Sequence, residues 1–179
     1  ANVVLAGGVL KRSNLENADE LIAGIVSGET QISLANYEPM KGFNLDNIDA
    51  TISSDGQING TKSTVLNAGN ADHFLVFGKT GDGYAFGLVN RSSDGVKVVN
   101  YKTYDGFVSG DLVLENCKCD AVFSVENALE ILEETILDAI VCVSSEAVGA
   151  MEKSYKLTIE YTQQSCLLYT SPSPRDGDE

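Results

Sequence analysis

Few side chains in this sequence have the type and spacing to do chemistry, and each is limited by its neighbours. Gly78-Lys79-Thr80 ends like a phosphate-binding loop. That loop needs an earlier glycine where His73 stands, and a hairpin pattern rather than a helix follows, so nucleoside triphosphate binding is excluded. His73 is the only histidine and lies beside Asp72, which suggests a base; at a strand edge it reads instead as a structural hydrogen-bonding group. Cys117 and Cys119 alternate along an extended run and point to one face, but no histidine or third nearby cysteine completes a metal set, so they read as packing thiols. Tyr101, Tyr104, Asp105 and Glu115 could line a cleft, and turn or rim roles account for them equally well. There is no Gly-x-Ser-x-Gly elbow and no glycine-rich dinucleotide turn, which leaves hydrolase and Rossmann readings without support.

The elements that must position any site centre on residues 51–116. Short β-rich runs at 61–66, 74–79, 84–90, 96–101 and 111–115 are separated by Asp55-Gly56, Thr80-Gly81-Asp82-Gly83, Asp94-Gly95 and Asp105-Gly106. Asp-Gly pairs supply the positive φ that tight hairpins require, so this pattern predicts an antiparallel barrel or sandwich. Before it, a helix is expected from a cap at Ser13 or Asn14, through Leu21, Ile22 and Ile25, to Ser27-Gly28. Residues 31–37 alternate as a strand and stop at Glu38-Pro39, and 41–48 form a loop. After the barrel, 117–122 is a last extended piece. Ser124 is then the expected cap of a long helix from Val125, whose Leu129, Leu132, Ile136, Ile140, Val143, Ala147 and Met151 form an apolar stripe. Its other faces past Ile136 are also small or apolar, so it is expected inside a helical bundle or an oligomer interface.

Composition narrows the function classes. With 43% hydrophobic residues in 179, the chain can bury a real core. The net charge of −14, from 12 basic and 26 acidic residues, repels phosphate backbones and argues against nucleic-acid partners. Asp138 and Glu146 interrupt the long helix, which argues against a membrane span. No basic-plus-apolar leader stands in the sequence given, so the four cysteines are expected as reduced thiols of a cytoplasmic protein. Opening on an apolar run without methionine suggests a fragment. Residues 166–179 resemble the translation of a common sequencing adapter and are kept out of the fold reading.

Taken in order, Glu38-Pro39, Ile58-Asn59-Gly60-Thr61-Lys62, Asn67-Ala68-Gly69, Ala71-Asp72-His73-Phe74-Leu75-Val76, Tyr104-Asp105-Gly106, Leu112-Val113-Leu114-Glu115-Asn116, Glu146-Ala147-Val148-Gly149-Ala150-Met151-Glu152 and Leu157-Thr158-Ile159-Glu160-Tyr161-Thr162 resemble the acyl-CoA dehydrogenase family. The resemblance implies an α+β chain. An antiparallel Greek-key-type β-barrel middle domain (29–123) is flanked by a short N-terminal helix, the remnant of a helical domain (1–28). One long helix (124–165) then opens a truncated four-helix bundle. It further implies FAD as cofactor, an acyl-CoA thioester as substrate and a homo-oligomer when full length, and leaves the electron acceptor open. In that chemistry a carboxylate removes the α-proton while the β-hydride passes to flavin N5. The usual base lies far into the bundle, so no catalytic residue is expected within this chain, and the fragment alone is expected to be inactive.

Flavin contacts carry over position by position. The family's strand ending in Thr-Glu-Pro matches Leu34-Ala35-Asn36-Tyr37-Glu38-Pro39, making Leu34, Asn36 and Tyr37 candidates, with Tyr37 in place of the threonine. The Gly-Ser that follows matches Gly42-Phe43, so Gly42 is a cofactor candidate and Phe43 takes the place of a substrate-contacting serine. The Trp-Ile-Thr strand matches Thr64-Val65-Leu66, adding Thr64 and Leu66. These departures also admit a non-catalytic assembly protein, or a flavin oxidase or monooxygenase on the same scaffold.

Overall fold

The computed structural model describes residues 2–165; the adapter-like stretch 166–179 lies outside them. The chain divides into two compact units, Ala1–Ala139 and Ile140–Glu179.

The first unit is built on an eight-stranded sheet: β1 (Ile32–Ala35), β2 (Thr51–Ile52), β3 (Gln57–Val65), β4 (His73–Lys79), β5 (Tyr84–Asn90), β6 (Val96–Lys102), β7 (Val108–Lys118) and β8 (Ala121–Phe123). Its pairing order is β6-β7-β3-β2-β4-β5-β8, with β1 added beside β4. The hairpins are antiparallel as their turns dictate, with Gly56, Gly95 and Gly106 at φ 77, 82 and 85°. β1 and β2, by contrast, run parallel to β4. The sheet curls around its own interior: a Cβ placed on Gly87 of β5 would sit 2.5 Å from the Ile58 side chain of β3 and 2.8 Å from Cys119.

β4 and β5 read as continuous apolar runs because both their faces are covered. Phe74, Val76, Ala85 and Val89 turn inward onto Ile58, Val65, Leu112, Leu114, Cys117 and Cys119. Leu75, Phe77, Phe86 and Leu88 turn outward onto helices, with Phe86 stacked on Phe123 at 5.7 Å between centroids.

Those helices differ from expectation in three places. Residues 1–10, read as an apolar run, contain a π-helical turn (Asn2–Ala6) followed by α1 (Gly7–Arg12), whose Val9 and Leu10 are buried. The next helix, α2, is Ala18–Ser27 rather than starting at Ser13 or Asn14; Ser13 Oγ donates instead to Leu10 O at 2.8 Å, and Gly28 ends α2 at φ 80° as expected. The long helix α3 is Ala128–Ser165, three residues later than Val125. Ser124 does not cap it. It sits at φ 57° with its backbone N–H donating to Asn14 Oδ1 at 2.9 Å. Within the first unit, Arg12 pairs with Glu134 at 2.9 Å and Asp138 at 2.7 Å, beside the buried Ala128, Ile131 and Leu132. In the second unit, taken by itself, the described residues are helical, with Ile140, Val143, Val148, Met151 and Tyr155 exposed. Among the described residues no helix is long and apolar enough to cross a membrane.

Gly60 shows how tightly the interior is set. It lies at φ 144°, and an added Cβ would come within 2.7 Å of Ala50 Cα. We expect Gly60→Ala to destabilise the fold by about 3 kcal/mol through overpacking and backbone strain, read as a lower urea midpoint.

Candidate functional site

Lys62 is completely buried, an uncommon place for an ammonium unless it is paired. Its Nζ donates to Glu38 Oε1 at 2.7 Å, and Glu38 is itself almost fully buried. The Glu38 carboxylate also accepts the backbone N–H groups of Asp49 (2.6 Å) and Ala50 (2.9 Å). One carboxylate therefore joins the exit of β1, the far end of the loop that follows it, and the middle of β3. Burial pulls the Glu38 pKa upward, but the hydrogen bond from Lys62 and the two N–H groups together hold it below the usual carboxylate range. Burial lowers the Lys62 pKa against the pull of Glu38.

The joint lays the chain after β1 along β3. Ser63 N–H donates to the Tyr37 carbonyl at 2.9 Å, which brings Tyr37 next to Ser63 and Thr64. β3 is bulged there: Lys62 faces Leu112 and Val65 faces Gly110, so three steps on β3 match two on β7. The extra residue resets the alternation, with Val65 buried and Thr64 and Leu66 turned outward. Thr64 takes φ 54°, an outlier for a β-branched residue.

The predicted site residues separate into two groups. Gly42, Phe43, Thr64 and Leu66 are exposed, and Tyr37 is half-buried with its carbonyl bonded to Ser63, next to Thr64. Phe43 is 87% exposed, yet its ring meets Tyr37 edge-on at 5.8 Å. Gly42 has φ 70° and open space where a Cβ would be. Leu34 and Asn36 are buried, Leu34 among the residues packed on the helices. Asn36 Nδ2 is a buried donor with no partner, and its carbonyl lies 3.5 Å from Lys62 Nζ.

Sequence reasoning missed Asp111, whose Oδ1 accepts Thr64 N–H at 3.1 Å and Tyr101 OH at 3.0 Å. It also quoted Glu38 and Lys62 in separate motifs without pairing them. The remaining candidates lie elsewhere. His73 approaches Asn90 through Nε2 at 3.4 Å, while Asp72 accepts Gln31 N–H at 2.8 Å. Cys117 and Cys119 are buried in the barrel interior, where burial pushes the Cys119 thiol up to about 12. Tyr104 projects from the β6–β7 turn and Asp105 shapes that turn by accepting Phe107 N–H at 3.2 Å. Glu38 and Asp111 are thus both engaged as hydrogen-bond acceptors, Glu38 of Lys62, Asp49 and Ala50, and Asp111 of Thr64 and Tyr101.

No family model and no curated protein matches this sequence. Solved structures do. A glutaryl-CoA dehydrogenase from Mycobacterium smegmatis in complex with FADH2 superposes with TM-score 0.83 at 25% identity, over 90% of this chain and 44% of that one. PigA with FAD and proline gives TM-score 0.83 at 23% identity, over 90% and 46%. A glutaryl-CoA dehydrogenase in complex with glutaryl-CoA gives 0.68 at 19% identity, over 75% and 38%. This chain thus spans less than half the length of the proteins it matches. Its class is an α+β protein made of a mostly antiparallel, curled sheet with flanking helices. More particularly, it has the acyl-CoA dehydrogenase fold, as the order of its motifs implies.

The Glu38–Lys62 joint makes two expectations. Glu38→Gln or Lys62→Met alone leaves a charge buried without its partner and should cost about 3–5 kcal/mol, whereas the double variant recovers most of that loss in urea unfolding. The folded-state pKa of Glu38 is depressed, so its contribution is complete above the unfolded carboxyl value of about 4.3 and is lost as pH falls through the lower folded value. Wild type should therefore lose stability in acid that the double variant does not.

Proposed function

We propose that this chain is the middle barrel and first bundle helix of a longer, cytoplasmic, FAD-dependent oxidoreductase. Its reaction is the α,β-dehydrogenation of an acyl-CoA thioester, as in fatty-acid metabolism. The proposed segments are 1–28 from a helical domain, 29–123 as the flavin-holding barrel, and 124–165 as the helix that starts the bundle. The carrying observation is the rim: a strand edge exposing Thr64 and Leu66 beside the carbonyl of Tyr37, in a fold shared with a protein solved with FADH2. Its exposed side chains suit a flavin. Leu66 and the Tyr37–Phe43 pair offer apolar surface to a planar ring. FAD, when bound, supplies the hydride acceptor. Tyr37, Gly42, Thr64 and Leu66 would hold and orient it, with Leu34 and Asn36 supporting them from the buried side, and Phe43 would meet the acyl-CoA.

The base that removes the proton belongs to the rest of the bundle, so the isolated chain would bind and position without turning over. Exposed Ile140, Val143, Val148 and Met151 support further helices, or a second subunit, around α3.

A second reading has its own support. Tyr37 and Phe43 pack edge-on where the family places a threonine and a serine, which suits a non-catalytic assembly subunit. The complete gene product, purified and scanned for flavin absorbance, separates the two. A yellow protein that retains FAD is expected, and a colourless one that takes up no added FAD would leave the assembly reading. Bleaching by acyl-CoA without oxygen is the expected sign of a dehydrogenase; bleaching that requires another substrate class would point to an oxidase or monooxygenase.

A further inference from the structure

Thr64 is held in a conformation it would not choose. A β-branched side chain at φ 54° is strained, and such a residue persists only where its surroundings over-determine it. One side chain reaches its backbone directly. Asp111, on β7 opposite the bulge, accepts Thr64 N–H at 3.1 Å through the oxygen that also accepts Tyr101 OH at 3.0 Å. The flanking pairs Lys62↔Leu112 and Val65↔Gly110 fix the ladder on either side, so Asp111 acts on the single extra residue between them. That residue decides whether Thr64 and Leu66 or Val65 face outward, since a one-residue slip exchanges the two faces of a strand.

We propose that Asp111 is a positioning residue for the flavin: by holding Thr64 left-handed it sets which backbone and side-chain atoms of β3 the rim presents. This rests on the flavin reading given above. Asp111 touches Thr64 and Tyr101, and its effect on the cofactor is transmitted through the bulge.

The coupling between Asp111 and Thr64 tests this. Glycine adopts positive φ without strain, so a protein carrying Thr64→Gly no longer needs the anchor. In the complete gene product, Asp111→Ala should weaken FAD binding by about tenfold and shift the visible spectrum of the bound flavin, because the rim is re-aimed. In the T64G background the same change should cost about twofold or less and leave the spectrum where T64G alone puts it. Asp111→Asn keeps an oxygen that accepts both hydrogen bonds and should behave like wild type. Without any flavin, T64G should raise the thermal midpoint more in the D111A protein than in wild type.

Three results would overturn the role: D111A binding FAD with wild-type affinity and spectrum, an equal loss from D111A in the wild-type and T64G backgrounds, or a T64G effect on the midpoint that is the same with and without Asp111. A wild-type protein that takes up no FAD overturns the flavin reading itself, and the role falls with it.

Discussion

A carboxylate and an ammonium removed from water together join the chain after β1, the end of its loop and the middle of β3. Each would be costly to bury alone, and their attraction offsets that cost only because the remaining lone pairs of Glu38 are taken by the Asp49 and Ala50 N–H groups. The arrangement fixes three segments at one point, which hydrophobic contacts, lacking direction, would not do. The loop carrying Met40, Gly42 and Phe43 is exposed at its tip, and its far end is tied down here, by the Lys41–Asp49 pair and by the buried Ile48. From the joint, the Tyr37 carbonyl is delivered to Ser63, and the bulge that turns Thr64 and Leu66 outward begins one residue beyond Lys62.

What could be read in the sequence was what local chemistry decides. The Asp-Gly turns fell where they were expected because positive φ is a property of the glycine itself, and the apolar runs of β4 and β5 announced strands covered on both faces. What escaped was decided at a distance. Glu38 and Lys62 lie in different motifs, and no periodicity links them; they meet because the chain after β1 runs along β3, where Ser63 N–H bonds the Tyr37 carbonyl. Ser124 looks like a helix cap, yet Asn14 draws its backbone N–H away and leaves it left-handed, so α3 starts later. Residues 2–12 carry two adjacent glycines and no clear polar face, and become helical because Ala6, Val9 and Leu10 are buried against the sheet.

The same division applies to the site. Motif matching singled out Tyr37, Phe43, Thr64 and Leu66, of which the fold sets Tyr37 against Phe43 and, through Ser63, near Thr64. It could not separate them from Leu34 and Asn36, which alternate on the same segment yet are buried. Nor could it find Asp111, whose importance comes from lying opposite a bulge that no local pattern encodes. The substitutions at Tyr37 and Phe43 acquire physical meaning only in the fold, where the two rings support each other in place of two hydroxyl groups.

If the buried pair is the joint on which the rim depends, the hydrogen bonds radiating from it must open together. Native-state amide exchange measures this directly in the unmodified protein. The amides of Ala50, bonded to Glu38, and of Ser63, bonded to Tyr37, should exchange with the same free energy and the same denaturant dependence as the core of β3. If Ala50 exchanges freely while Ser63 stays protected, the loop is opening without the rim, and the joint does not hold the site.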